Sequence, residues 1–549
     1  MQSRFRRLPG GAPLSRDEPV AQRPAASTGT SQAVLATTYA LVSLFGLWGL
    51  SFGSVPFAVD LPNHAARLFI ECNIGDPILA RMYSVEYDLI PNLAIDLING
   101  PLCGLVDPMT VVRGSMIAAV AGILIVVWKL HRLLHGSANS FVLLAPAMTF
   151  NIITGMGYLN YLIGTFLFLL FAWAMFRFRL LERHWTFQII IPNLFGVLLF
   201  VCHIFALGLA GVFLFGLRFA SGKGQPFVRR LTSAGLMSAA SFAVPLLMVL
   251  LVDRSGVGVT YELAGKVRAL WAPMLYSSMV LAAALVFVWF ALFLWAFRET
   301  HVTFAPPARL PLVLLALFAF LLPSALLDAV DLDSRSLVSV AYFAIAAIGL
   351  RDPSRTGTRS TAELAAAAVA FATVGLQFGV ALPKMLLFER QVAEFRAAIS
   401  VLKPLDRVIA VADLDREPSI PTHFYAHLTS YATRDRRAFN PSEFTGKGMQ
   451  PLHVQPEFAC IDVPAGRPLH LRVAEQLLEP ATEPLLLQDR YINLRYAYRW
   501  DRKFDYVVFY HFGTPANPFA GVLDPVYHGS FFSVLRTRKA SGPAAASVC

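Results

Sequence analysis

The sequence predicts a polytopic α-helical membrane protein of about eleven transmembrane helices, with a C-terminal mixed α/β soluble domain. Three observations carry that expectation. The 549 residues are 56% hydrophobic and only 15% charged, with a mean hydropathy of +0.57, whereas a soluble domain has about 25% charged residues. Apolar runs of about 20 residues, the length that crosses a bilayer, recur until about residue 390. Lys and Arg collect in alternate segments between those runs, the pattern of cytoplasmic loops.

Residues 1–33 are polar, bear Arg4, Arg6, Arg7, Arg16 and Arg23, and read as a disordered cytoplasmic tail. The transmembrane domain is expected over 34–389. Runs near 34–56, 112–133, 231–252, 274–297, 309–328, 335–350 and 361–383 each read as one span. The first is too long for the apolar core of a cleaved signal and reads as retained. Stretches 140–176 and 186–217 are too long for one helix across about 30 Å and short for two. Asn151, Gly155 and Gly157 interrupt the first, and Cys202–His203 the second. Each therefore reads as a hairpin of two short spans. Loop charge supports the even count. With the N-terminus inside, cytoplasmic segments carry Lys129, Arg132, Arg177, Arg179, Arg183, Arg218, Lys223, Arg229, Arg230, Arg298, Arg309, Arg351, Arg355 and Arg359. A single span at either stretch would exchange the sides of every later loop and break the bias. The odd total places 390–549 on the non-cytoplasmic, periplasmic side of a protein integral to the inner (cytoplasmic) membrane.

Charges, prolines and histidines return beyond residue 390. "RVIAVAD", "FDYVVFYHF" and "FFSVLRTRK" read as strands and "THFYAHLTSYATRDRR" as a helix. The net charge of +11 does not point to nucleic acid, because the cations are dispersed among short loops rather than gathered in a patch. The five cysteines include no CxxC. Cys72 and Cys103 share one outside loop, where a disulfide and an unpaired pair of thiols are both open; Cys202 lies in an apolar run and reads as core.

That first outside loop, 57–111, holds the acids Asp60, Glu71, Asp76, Glu86, Asp88, Asp96 and Asp107. It is also partly apolar and reads as helices lying on the membrane surface. "DLPNHAARLFIE" can form a helix with Asp60 near its N-cap and Pro62 in its first turn. Asp60 and His64, like Asn63 and Arg67, are then neighbours one turn apart. Asp60 fits two roles, helix cap and chemical base. Glu86 and Asp88 fit solvated acids as well as ligands.

The loop resembles that of the C-type (GT-C) membrane glycosyltransferases, in particular the aminoarabinose and protein-mannosyl transferases. The resemblance rests on Asp60 directly after the first span, on Arg67 followed by Gly75–Asp76, and on the acid-x-acid Glu86-Tyr87-Asp88. It departs from the pattern at Leu61, where a second acid is usual. The resemblance implies transfer of a sugar from a polyprenyl-phosphate donor to an envelope glycan or lipid acceptor, within the membrane lipid and on its non-cytoplasmic face. Asp60 would then act as base. Glu86 and Asp88 would hold a divalent metal such as Mg or Mn, or bind the acceptor.

Further substrate-binding candidates are His64 and Arg67 on the same helix, and Lys266 and Arg268 in a short outside loop otherwise poor in cations. Arg335 in "DAVDLDSRS", and Asn160 and His203 at the two helix breaks, complete the set. The bland readings of these residues are snorkelling cations, a helix cap at Asp333 or Ser334, and packing contacts between helices. His423 and His427 have a spacing that can hold a metal, but with no third ligand at fixed spacing they read as ordinary residues. An envelope lipid or glycan transporter would carry paired ionisable groups in mid-span, and the runs are nearly free of charge. A non-catalytic scaffold has no need of an acidic first loop.

Overall fold

The computed structural model describes residues 29–252, 258–300, 302–326, 329–350, 359–416, 418–464, 466–479, 489–513 and 517–538. Most of the expected 1–33 tail, and Cys549, lie outside them.

Helix α1 (Gly29–Leu50) is the first apolar span. The first loop then folds as α2 (Leu61–Cys72), α3 (Pro77–Met82), strand β1 (Tyr83–Val85) and α4 (Ala94–Asn99). Asp76 caps α3 by accepting from Ile78 N at 2.9 Å. Asp107 caps α5 (Pro108–His135) the same way through Met109 N at 2.9 Å. Each is followed by a proline, whose missing N–H is harmless in a first turn. Cys72 and Cys103 form a disulfide that ties the end of α2 to the segment after α4.

The stretch after residue 140 breaks into α6 (Leu144–Ala147), α7 (Ile152–Met156) and the full-length α8 (Leu159–Arg177). Asn151 makes a capping box with Thr154, and Gly157 ends α7 at φ +77°. Next come α9 (Trp185–Cys202) and α10 (Ile204–Ser221), parted by His203 alone. The next span is broken into α11 (Phe227–Ser241) and α12 (Ala243–Leu251), bent by 69°. Then follow α13 (Leu263–Ala269), α14 (Met279–Thr300), α15 (Arg309–Leu321) and α16 (Leu332–Ala347). Two small antiparallel sheets decorate these connections. One joins β2 (Val259–Thr260), β4 (Ala325–Leu326) and β5 (Ala329–Val330); the other joins β3 (Val302–Phe304) and β6 (Ile348–Leu350).

Six helices among the described residues are long and apolar enough to cross a membrane, or seven if the bent pair is one span. The chain is a membrane protein on that evidence. A count of eleven would also require α16 and three shorter apolar segments to cross, 140–156, 279–295 and 306–321.

Helix α17 (Arg359–Ala398) runs for 40 residues and continues unbroken through position 390, past Pro383. It leads into a five-stranded sheet made of β7 (Val408–Ala412), β9 (Leu469–His470), β10 (Tyr506–Tyr510), β11 (Leu523–His528) and β12 (Phe532–Thr537). The order is β11-β12-β10-β7-β9. Strands β10, β7 and β9 are parallel, β12 pairs antiparallel with β10, and β11 pairs antiparallel with β12. The central strands β7 and β10 are apolar throughout and buried, as strands covered on both faces must be. The expected helix in "THFYAHLTSYATRDRR" is two pieces, a 3-10 turn at Thr422–Tyr425 and α18 (Ser430–Arg436).

The first loop corrects the expectation of a membrane-surface layer. It is wedged between the spanning helices and the C-terminal region, with α2 packing on both α5 and α18. Nine of the twelve residues of α2 are buried. Strand β1 pairs antiparallel with β8 (Leu452–Val454), matching Tyr83 to Val454 and Val85 to Leu452. Arg437 reaches Asp76 at 2.6 Å and Arg81 reaches Glu457 at 2.7 Å. The apolar residues that resembled a lipid-facing set, Ile70, Leu79, Met82 and Tyr83 among them, share a core with Val411, Phe439 and Leu452. Opening the Cys72–Cys103 bridge, which closes a loop of sequence separation 31, is expected to cost about 3.5 kcal/mol in loop-closure terms. The check is a lower thermal midpoint for purified Cys72→Ser/Cys103→Ser protein than for the wild type.

Candidate active site

Asp60 sits at the start of α2, where a capping residue is expected, yet its side chain makes no cap hydrogen bond. Its backbone is the reason. At φ −85° and ψ −11° it is already helical, and capping side chains reach the first-turn N–H groups from an extended conformation. The conformation is imposed by the α7–α8 break. Val59 N donates to Gly155 O at 3.1 Å and Asp60 N to Met156 O at 3.0 Å. A Cβ on Gly157 would stand 3.3 Å from Asp60 N, beside Leu61. Positive φ and that close approach both call for glycine there.

Freed from capping, the Asp60 carboxylate lines a cavity of about 430 Å³. Its side chain is 15% exposed and lies 3.5 Å from His427 Nε2. Burial pushes the carboxyl up to about 7, against the pull of the Arg335 and Arg467 guanidiniums and with a further push from Asp331. Desolvation disfavours the charged form, and the two arginines offset it only in part. His427 is buried, and its imidazole is held down at about 3, by burial first and then by Arg467. His64, one turn along α2, is also held well below its usual value by burial and by Arg67 and His427. Both rings are neutral at pH 7.

His64, Asn160, His203 and Arg335 share this cavity with Asp60. Arg335 stacks its guanidinium 3.3 Å from the Tyr158 ring centroid and approaches His203 Nε2 at 3.5 Å. The Tyr158 hydroxyl donates to Asp331 at 2.8 Å, and Arg268 pairs with the other oxygen of Asp331 at 2.8 Å. Asn160 has a further task. Its Oδ1 accepts from Ile95 N at 2.9 Å and its amide nitrogen donates to Asn92 O, so it hangs α4 on α8. His203 ends α9 and accepts from Phe205 N at the start of α10.

Other sequence candidates stand elsewhere. Arg67 is fully buried against Asp96 at 2.8 Å and Glu71 at 3.5 Å, donates to Gln450, and does not line the cavity. The sequence reading made it a substrate-binding candidate on a helix at the membrane surface. The helix face that carries it is covered by the C-terminal region, so the guanidinium has become the centre of a buried charge cluster. Burial and the neighbouring Asp96 carboxylate raise Glu71 well above the usual carboxylate range. With Glu71 protonated, one cation meets one anion. Lys266 is likewise taken, by Asp333 at 3.2 Å and the Leu322 carbonyl, and lines no described cavity. Asp333 sits in the first turn of α16 rather than at its cap, which is Asp331 at φ +55°. Glu86 and Asp88 lie after β1, exposed and away from Asp60's cavity, in a cluster with His453 whose ligand atoms fall within 4.8 Å of one another.

The C-terminal region contributes what sequence reasoning set aside or did not see. His423 and His427, read as ordinary residues, both line the Asp60 cavity with Arg467. Their i,i+4 spacing was the visible signal. Two further cavities adjoin the first. One, of about 590 Å³, shares Met156, Val330, His423 and Arg467 with it and adds Thr260, Glu262, Arg268, Ser277, Ser278 and Asp331. The other, of about 350 Å³, shares Asn92, His203, Ala329 and Met449. It is lined by Ile204, Phe205, Val249, Phe318 and Leu322 of α10, α12 and α15 and their ends.

No protein-family model and no curated protein matches the chain. Among solved structures it is similar to the arabinofuranosyltransferase AftD from Mycobacteria, at 13% identity and a TM-score of 0.43 over 94% of this chain. The chain spans 40% of the length of AftD. It is also similar to ArnT from Cupriavidus metallidurans in the apo state, at 11% identity and a TM-score of 0.47. That match covers 92% of this chain and 98% of ArnT.

Proposed function

We propose that the chain is a membrane glycosyltransferase that moves a sugar from a polyprenyl-phosphate donor to a hydroxyl acceptor on the non-cytoplasmic face. The observation that carries this reading is Asp60, an uncapping carboxylate held near 7 in a cavity that it shares with Arg335 and Arg467. A base poised near neutral pH takes the acceptor's proton as its oxygen bonds to the anomeric carbon. The bond from that carbon to the phosphate oxygen breaks, and the lipid phosphate leaves with the electron pair. Two guanidiniums stabilise the charge that develops on it. In this reading the apolar groove between α10, α12 and α15 takes the prenyl tail, and the hydroxyl-rich and charged chamber beside Arg268 takes the acceptor.

The donor set Glu86, Asp88 and His453 suits a divalent ion such as Mg or Mn by its oxygen-rich chemistry. It lies where the first loop meets β8, so an ion there would clasp the two together. Mn²⁺ binding by equilibrium dialysis, lost in Glu86→Gln/Asp88→Asn, supports that role; unchanged binding by the variant refutes it. The orientation follows the loop-charge reading and the Cys72–Cys103 bridge, which belongs to an oxidising compartment. The functional test is transfer by the purified protein in liposomes, with a panel of polyprenyl-phosphate sugars and glycan or lipid acceptors. Release of polyprenyl phosphate that depends on acceptor supports the assignment. Failure to release it from any donor, by protein whose thermal unfolding is cooperative, contradicts it.

A further inference from the structure

Asn63 is buried beneath the cavity and faces the C-terminal region with every hydrogen-bonding atom engaged. Its Oδ1 accepts from Phe444 N at 3.0 Å, and its Nδ2 donates to Ser442 O at 2.8 Å. Both partners are main-chain groups with fixed roles, so the amide has one orientation. Turning it over would set its hydrogens against the Phe444 N–H and its oxygen against the Ser442 carbonyl. The second Nδ2 hydrogen meets His427 Nδ1 at 3.1 Å. That ring nitrogen must therefore present its lone pair. The ring is neutral, so its one proton is on Nε2, the atom that faces Asp60 Oδ1 at 3.5 Å.

We propose that Asn63 is a positioning residue that locks His427 in the Nε2–H tautomer, so that the C-terminal region presents a fixed donor to the Asp60 carboxylate. The inference rests on the reading of Asp60 as the base and adds what orients it. His427 does not carry the substrate's proton. It donates toward the ionised carboxylate, holds it in one direction and favours its charged form. The separation is longer than a tight hydrogen bond, as contacts of this kind often are before substrate closes the site. The same device gives α2 a means of sensing the C-terminal region. Without Ser442 and Phe444 in place, the Asn63 amide loses its fixed orientation and His427 its fixed tautomer.

The test begins with the tautomer itself, read from the full-length protein labelled with 15N-histidine at pH 7. The His427 signals are assigned by their loss in His427→Gln. The proposal expects Nδ1 at the shift of an unprotonated nitrogen and Nε2 at that of a protonated one. A protonated Nδ1 in the wild type overturns it, whatever the protein's activity. The second arm is Asn63→Asp, which keeps the shape but can only accept, so the ring turns its proton to Nδ1. Asp60 then loses a donor while Arg335, Arg467, Asp331, His64 and His423 still surround it. Its folded pKa rises, and the acid limb of the kcat profile moves to higher pH by about one unit, with donor KM changed less than twofold. A uniform loss of kcat with an unmoved limb would make Asn63 merely structural and overturn the proposal. Full activity of Asp60→Asn would instead sink the underlying reading, and the tautomer measurement separates the two failures.

Discussion

Asp60→Asn is expected to lower the kcat for sugar transfer by about 10²–10⁴-fold, the range that positioned bases supply. Donor KM should change little. The substitution keeps the volume and polarity of the side chain and removes only its ability to take a proton. It should not disturb folding, because Asp60 caps nothing and its backbone is held by Gly155 and Met156 rather than by its carboxylate. The wild-type rate should fall as pH drops through about 7. Burial raises Asp60 to that value, and a base is active only above its pKa, so protons inhibit from neutrality downward. Steady-state kinetics from pH 5.5 to 9 check both statements. A variant with wild-type kcat at pH 8 would remove Asp60 from the chemistry.

The second large effect concerns stability. Arg67→Leu is expected to destabilise the protein by about 3–5 kcal/mol, the cost of leaving a buried charge without its partner. Arg67 and Asp96 both have fully buried side chains, 2.8 Å apart. Removing the guanidinium strands the Asp96 carboxylate, while Glu71 is already neutralised by burial beside it. The double variant Arg67→Leu/Asp96→Asn should recover most of the loss, because it removes the unpaired charge as well. Thermal unfolding of purified protein in one detergent checks the pair. Equal midpoints for the single and double variants would show that the cluster contributes packing rather than charge balance.

These two residues also show what could be read from the chain and what could not. Both sit on one amphipathic helix after the first span, and their positions on it were legible from "DLPNHAARLFIE" and its spacing. Helical periodicity tells which side chains share a face; it does not tell what covers that face. Asn63 and Arg67 were expected at the edge of water and lipid, and the C-terminal region covers them both. Gln450 and His427, their partners, lie more than 360 residues away in sequence, and no local pattern announces a contact of that range. The breaks at Gly155–Gly157 and at His203 were legible because glycines and a lone histidine interrupt apolar runs. Their consequence at Asp60 was not, because it depends on backbone hydrogen bonds between separate elements. Cation spacing misled at Lys266, because its charge is absorbed by Asp333 on the later helix α16, a contact that no loop pattern announces.

The central claim is that Asp60, Arg335 and Arg467 face one lipid-linked sugar. A structure of the full-length protein in nanodiscs with a non-transferable polyprenyl-phosphate sugar tests it most directly. The account predicts the phosphate within ion-pair reach of Arg335 and Arg467, the prenyl tail along the groove of α10, α12 and α15, and the anomeric carbon on the Asp60 side. A phosphate bound away from both arginines, with the sugar out of reach of Asp60, would contradict it.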